Sequence, residues 1–252
     1  MDSLLAVAHT FSTAPSNDAR SRAELARIAA DVRRALAQSP GASARSVLNT
    51  TIFGKRGFVR EVADEDLSYV FLPSVLERRR GSCVGLGSLY LALGEQLGWK
   101  IQGVMVPGHF FVRVHERRER GTGHNVELLR RGEEMPDAWY AGRFPIPGGA
   151  APEYGRALAL AEVLGVIEYD VGNERRRKGR WADAQRAYER ARKHFPDFAE
   201  AHASLGALAQ LMGALDEAKG HYEAARRVNP NLPGLDRNLE LLESERSAHP
   251  TQ

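Results

Sequence analysis

The sequence predicts an α+β domain followed by an all-α domain. One observation is a glycine-punctuated apolar run, Arg80 to Trp99, around the only cysteine, with short period-two segments after it. Another is a Pro/Gly-rich stretch from Phe144 to Pro152. The third is that from Glu153 onward the pattern is helical throughout and repeats itself at an offset of 34 residues. The expected division is therefore 1–150 and 151–252.

A chain of 252 residues holds one large domain or two small ones. A formal charge of +3 is small for that length, although the pI is about 9.1. No concentrated basic face with interleaved aromatics is evident, so a nucleic-acid partner is not expected. One cysteine forms no intrachain disulfide and points to no oxidising compartment. The N-terminus lacks a basic signal region, and no apolar run approaches the roughly 20 residues of a membrane span. The expected location is cytoplasmic, with no membrane partner.

In chain order, a short helix and a Ser/Pro-rich loop fill the first 18 residues. Ser21 and Glu24 fit a capping box, and Leu25, Ile28, Ala29, Val32 and Leu36 line one face, predicting a helix from Ser21 to Gln38. Ser39-Pro40-Gly41 ends it, a second helix covers 42–53, and Gly54 to Gly57 is a turn. Asp64 to Asp66 opens a short segment through Leu72, and Pro73 opens a helix or turn ending at Arg80. Arg78-Arg79-Arg80 reads as a solvated cluster. Its alternative reading is a cationic patch near Cys83 that favours a thiolate or an acidic substrate group.

Gly81 offers a turn, Ser82 a cap, and Val84, Leu86, Leu89, Tyr90, Leu93 and Leu97 recur at helical spacing until Gly98 stops the helix. Cys83 falls in its first turn. Unpaired N–H groups and the positive end of the macrodipole gather there, an environment that lowers a thiol's pKa. Two strands, Ile101 to Val106 and His109 to Val114, flank Pro107-Gly108. His109, Phe111 and Arg113 share one face, Phe110, Val112 and Val114 the other. A third strand, Asn125 to Leu129, puts Asn125 and Glu127 on one face. A cysteine at a helix start, a histidine on a strand and an acid or amide on the next strand make a nucleophile–base–orienter set. The Cys83 N–H is a natural oxyanion donor, with Asn49 and Gln96 as candidates for a second. His115 and His124 lie in polar sequence and are expected to be exposed. The run from His115 to Arg120 reads as a strand end leading into an exposed loop. Residues 130–136 form a loop, after which Trp139 and Tyr140 serve either as core or as cleft lining.

In the C-terminal half, Gly172, Gly179, Ala184, Tyr188, Ala191 and Pro196 recur as Gly206, Gly213, Ala218, Tyr222, Ala225 and Pro230. That offset is the tetratricopeptide period: small residues let paired helices approach, the tyrosine fills the gap, and proline ends the second helix. The repeats span about 165–198 and 199–232, with flanking helices at Glu153 to Leu164 and Leu235 to Glu245 covering their apolar ends. Arg175 to Arg180 falls at an interhelix turn and reads as solvent-facing. No paired-cysteine or His-x-x-x-His spacing suggests a metal, and no Lys-Ser/Thr-terminated glycine loop suggests a bound phosphate, so no cofactor is expected.

The run from Leu48 to Glu127 resembles the transglutaminase-like superfamily, within the papain-like cysteine-enzyme group, and looks closest to a bacterial branch with a tetratricopeptide-like tail. The matching pieces are Leu48-Asn49, Phe53, Gly57-Phe58, Val75 to Gly81, Leu89 to Leu93, Pro107 to Arg113 and Asn125 to Glu127. The resemblance implies Cys83 as nucleophile and His109 as base. Glu127 stands where many relatives carry aspartate, so the orienter is open between Glu127 and Asn125. The implied chemistry is cysteine-dependent acyl transfer or amide hydrolysis, of peptidase, amidase or transglutaminase type, with the repeats recruiting a protein or peptide. The alternative is a non-catalytic scaffold that binds a partner in the repeat groove.

Overall fold

The computed structural model describes residues 1–11, 18–61, 66–115, 123–149 and 151–248. It divides into two compact units, Met1–Phe144 with Ala157–Leu160, and Pro145–Arg156 with Ala161–Gln252.

The first unit opens with α1 (Asp2–Phe11) and α2 (Asp18–Gln38). Ser21 is buried within α2 rather than capping it, because the helix starts a turn earlier, at Asp18. The helix α3 (Ala44–Asn49) is capped by Ser43, which accepts from Ser46 N at 3.2 Å. The helix expected over 42–53 does not run through: from Thr50 to Lys55 the backbone widens into a π-helical turn, which Arg56 N closes on Thr51 O. Arg56 ties this turn to α2 through Asp31 at 2.6 Å and Glu24 at 3.0 Å. After β1 (Val59–Arg60), most of the expected polar start at Asp64 to Asp66 lies outside the described residues. Asp66 caps a 3-10 turn over Leu67–Tyr69 through Ser68 N. Pro73 sits in the first turn of α4 (Leu72–Arg78), which Arg79 ends in a left-handed conformation at φ 53°. Beyond it, β2 (Arg80–Gly81) pairs in parallel with β1.

The helix α5 (Cys83–Leu97) begins and ends where its caps predict. Ser82 Oγ accepts from Gly85 N at 3.2 Å, and Gly98 turns left-handed at φ 67° with Trp99 N bonded to Gly94 O. Its glycines permit close packing. A Cβ on Gly87 would lie 2.4 Å from the Phe110 ring, and one on Gly94 3.0 Å from Ile101. The sheet beneath runs β6-β5-β4-β3-β7, all antiparallel. Its strands are β3 (Lys100–Val106), β4 (His109–His115), β5 (His124–Glu127), β6 (Glu133–Glu134) and β7 (Ala157–Leu158). The β6 bridge falls inside the expected 130–136 loop. The mixed-charge run after His115 lies outside the described residues from 116 onward. One sheet face packs on α5. The other carries Val104, Val106 and Phe111 against α6 (Asp137–Arg143), whose Tyr140 stacks on Phe111 at 3.8 Å. Tyr140 is thus core, at 2% exposure.

The second unit contains α7 (Leu160–Arg177), α8 (Trp181–His194), α9 (Ala199–Leu211), α10 (Leu215–Val228) and α11 (Leu235–Ala248), with Leu160 itself in the first. No separate helix covers Glu153 to Leu164: helix begins only at Leu160, as the first turn of α7. Glu153 and Tyr154 lie in a turn, and Ala157–Leu158 pairs with β3 instead. The internal repeat has a physical basis: a Cβ on Gly172 or Gly206 would lie 2.4 or 2.6 Å from the ring of Tyr188 or Tyr222. Gly179 and Gly213 make left-handed turns between the paired helices. Leu235 and Leu242 of α11 join the core of the α9–α10 pair. The basic run at the α7–α8 turn is largely exposed, as read, with Arg180 on Asp183 at 2.6 Å. Among the described residues, no helix is long and apolar enough to cross a membrane.

Candidate active site

Cys83 is half-buried in the first turn of α5. Its level along the sheet follows from two contacts. Gly87 abuts Phe110 and Gly94 abuts Ile101, which pairs with Val114. Thus α5 runs parallel to β4. One helical turn before Gly87, about 5.4 Å, Cys83 is level with the start of β4, where His109 stands. Phe110 projects toward α5 and His109 from the opposite face of the strand, alongside Phe111. The thiol and the imidazole therefore belong to the same end of the sheet.

His109 is 7% exposed, and its ring stacks on Phe144 at 4.6 Å between centroids. Its Nε2 lies 2.7 Å from Glu127 Oε2. Glu127 is 1% exposed, and its Oε1 accepts from Leu129 N at 2.9 Å, capping the 3-10 turn Leu128–Arg130. A carboxylate fixed by a backbone donor thus holds the ring. With Nε2–H donating to it, the Nδ1 lone pair is left as the basic position. The strand expected to reach Leu129 stops at Glu127 because this side chain pulls the next residues into the turn.

The sheet register explains the pairing. Val112 faces Val126, so Phe111 faces Glu127, and His109 is the diagonal neighbour of the carboxylate. The other candidate orienter, Asn125, faces Arg113. Its Oδ1 accepts from Arg113 Nε at 2.7 Å and its Nδ2 donates to Asp137 at 2.6 Å. Asn125 is thus committed to Arg113 and Asp137, not to the imidazole.

Neither proposed second oxyanion donor suits that role. Asn49 donates to Gly132 O at 2.6 Å and accepts from Tyr90 at 2.7 Å. Gln96 lies thirteen residues beyond Cys83, about 20 Å along the helix axis, where its amide meets the Met1 sulfur. His115 and His124 are strand residues, not exposed loop residues. His115 is 2.9 Å from Gln102, and partial burial, with Lys100 and Arg113 nearby, lowers its pKa. His124 is 2.6 Å from Glu134.

Sequence reasoning did not anticipate the surroundings of Glu127. The Tyr140 hydroxyl is buried with no hydrogen-bond partner among the described residues. Burial first, then the charge of Glu127, pushes its pKa well up. The Tyr140 ring and hydroxyl, with Phe144, make an aromatic wall around the histidine–carboxylate pair. The aromatic pair Trp139-Tyr140 was the available signal, though it could not tell core from cleft.

Residues 19–139, which contain Cys83, His109 and Glu127, match the family model described as transglutaminase-like superfamily. That stretch, just under half of the chain, is thus similar to the transglutaminase-like superfamily. A UPF0162 protein of Vibrio cholerae is 34% identical over 99 residues, covering 38% of this chain and 37% of that relative. The chain therefore shares little more than a third of the relative's length.

Proposed function

We propose that the transglutaminase-like domain performs cysteine-dependent acyl transfer. His109 Nδ1 takes the proton of the Cys83 thiol, and the thiolate attacks an amide carbonyl. The tetrahedral intermediate collapses to a thioester as the imidazolium returns the proton to the leaving amine. Water as acceptor then gives hydrolysis, and an amine gives a transglutaminase-type product. Glu127 holds the ring and stabilises its cationic form. The Cys83 N–H, in the helix's first turn, is the candidate oxyanion donor. The observation that carries this reading is the buried 2.7 Å His109–Glu127 pair at the sheet end where α5 starts with the sole cysteine.

In this reading the second unit is a pair of tetratricopeptide repeats, α7–α8 and α9–α10, capped by α11, and it recruits the protein or peptide substrate. The repeated glycine–tyrosine contacts at Gly172–Tyr188 and Gly206–Tyr222 support it. The test is covalent labelling with a peptide vinyl sulfone. Labelling at Cys83 that slows at least about a hundredfold in His109→Ala is the expected result. Equal labelling of both proteins would overturn the proposal.

A second reading, a non-catalytic scaffold, draws on the enclosure of His109 by Phe144 and its projection away from α5. It requires Cys83→Ala to retain full function in cells, which the catalytic reading forbids.

A further inference from the structure

A groove of about 450 Å³ lies in the first unit, lined by Val59, Arg60, Leu129, Arg130, Arg131 and Glu133. Its position is informative. One wall is β1, which pairs with β2, and β2 leads through Ser82 directly into Cys83. The other wall is the turn that the Glu127 carboxylate caps. The groove therefore lies between the strand paired with the segment that leads to the candidate nucleophile and the turn that fixes the candidate orienter.

Its charge is one-sided. Among the described lining residues, three arginines face one carboxylate, that of Glu133, which is paired with Arg130 at 2.5 Å. Among the described residues, Arg131 bonds a backbone oxygen, Phe53 O at 3.0 Å, and no carboxylate. Arg60 is exposed and has no ion pair among the described residues. The placement of Arg131 is conformationally demanding. It sits at φ 58°, unusual for a residue with a Cβ, and is followed by Gly132 at φ 83°, which lies against Asn49. The backbone of the turn is thus fixed by its neighbours, and Arg131 starts from the groove wall.

We propose that this groove binds the acidic side chains of a peptide substrate and makes the domain selective for Asp- or Glu-rich segments next to the reacting amide. Planar guanidinium groups bind carboxylates bidentately, and a groove with net positive charge concentrates acidic chains by long-range attraction. The assignment rests on Cys83 as the reacting centre for its meaning, but it is tested by binding alone.

The experiment uses the full chain carrying Cys83→Ala, so that no acyl transfer contributes. A fluorescein-labelled glutamate-rich peptide and its glutamine counterpart are titrated by fluorescence anisotropy at low salt. The glutamate peptide should bind at least about tenfold more tightly, a difference that shrinks as salt screens exposed charges. The preference should be lost in Arg60→Gln and in Arg131→Gly, the latter chosen because glycine accepts the left-handed backbone. Equal affinity for the two peptides would overturn the proposal. So would a preference that survives in both variants with unchanged circular dichroism. If vinyl sulfone labelling fails while this preference holds, the acyl-transfer reading falls and the acidic-peptide site stands.

Discussion

Replacing Glu127 with aspartate tests whether the carboxylate's reach matters. In the native chain its two oxygens serve two donors, His109 Nε2 at 2.7 Å and Leu129 N at 2.9 Å. Aspartate is shorter by one C–C bond, about 1.5 Å. From an unmoved backbone it cannot reach both donors, because shortening opens one or both contacts to about 4 Å. Losing one hydrogen bond to a buried charged group costs about 1.5–3 kcal/mol, and the missing methylene about 0.8 kcal/mol more. The expected loss is therefore about 2–4 kcal/mol of unfolding free energy, measured by urea denaturation with the slope unchanged. Vinyl sulfone labelling should slow as well, since a mispositioned ring no longer meets the thiol. A variant as stable as the native chain, within about 0.5 kcal/mol, would refute the account of Glu127 as a two-point brace.

Other predictions follow from close contacts and from one buried acid. Gly87→Ala places a Cβ 2.4 Å from Phe110 and should lower stability by about 1–3 kcal/mol despite the gain in helix propensity. Gly220→Ala, a helical position in α10 with nothing within 4 Å, should instead raise stability by about 0.5–1 kcal/mol. Thermal melts of both variants check the pair. Gly172→Ala and Gly206→Ala should destabilise the second unit to similar extents, because each meets the equivalent tyrosine; unequal urea midpoints would argue against equivalent repeats. Burial pushes the Glu200 carboxyl, hydrogen-bonded by Tyr154, up to about 7 from its ordinary 4.5. Between those values the folded chain holds a proton that the unfolded chain has released. Stability contributed by this group is therefore full below about pH 4.5 and falls as pH rises to about 7, by up to about 3 kcal/mol. Glu200→Gln should flatten that part of the stability–pH curve.

Much of the architecture was legible where local chemistry decides it. Ser82 and Gly98 bracket α5 through side-chain and left-handed caps, which depend on a few neighbouring residues. The 34-residue offset reports a contact, glycine on tyrosine, that is built twice. What the sequence could not settle depends on partners distant along the chain. Asn125 and Glu127 share a face, and only the register of β4 on β5 decides which meets His109. The pairing of Ala157–Leu158 with β3 rests on a two-residue bridge and overrides the helical pattern around it. The start of α2 moved because Ser21, a capping residue by type, is buried inside the helix. Gln96 and Asn49 fail as oxyanion donors for different reasons. Helix geometry alone places Gln96 too far away, whereas the bonds of Asn49 appear only once Tyr90 and Gly132 are brought to it.

The most direct measurement is the rate of Cys83 alkylation by iodoacetamide as a function of pH, in the native chain and in His109→Ala. Coupling of the thiol to the imidazole predicts a reactive thiolate well below the ordinary thiol range near pH 8.5, and a return toward that range when His109 is removed. A native profile with an ordinary midpoint, unchanged by the substitution, would contradict the account.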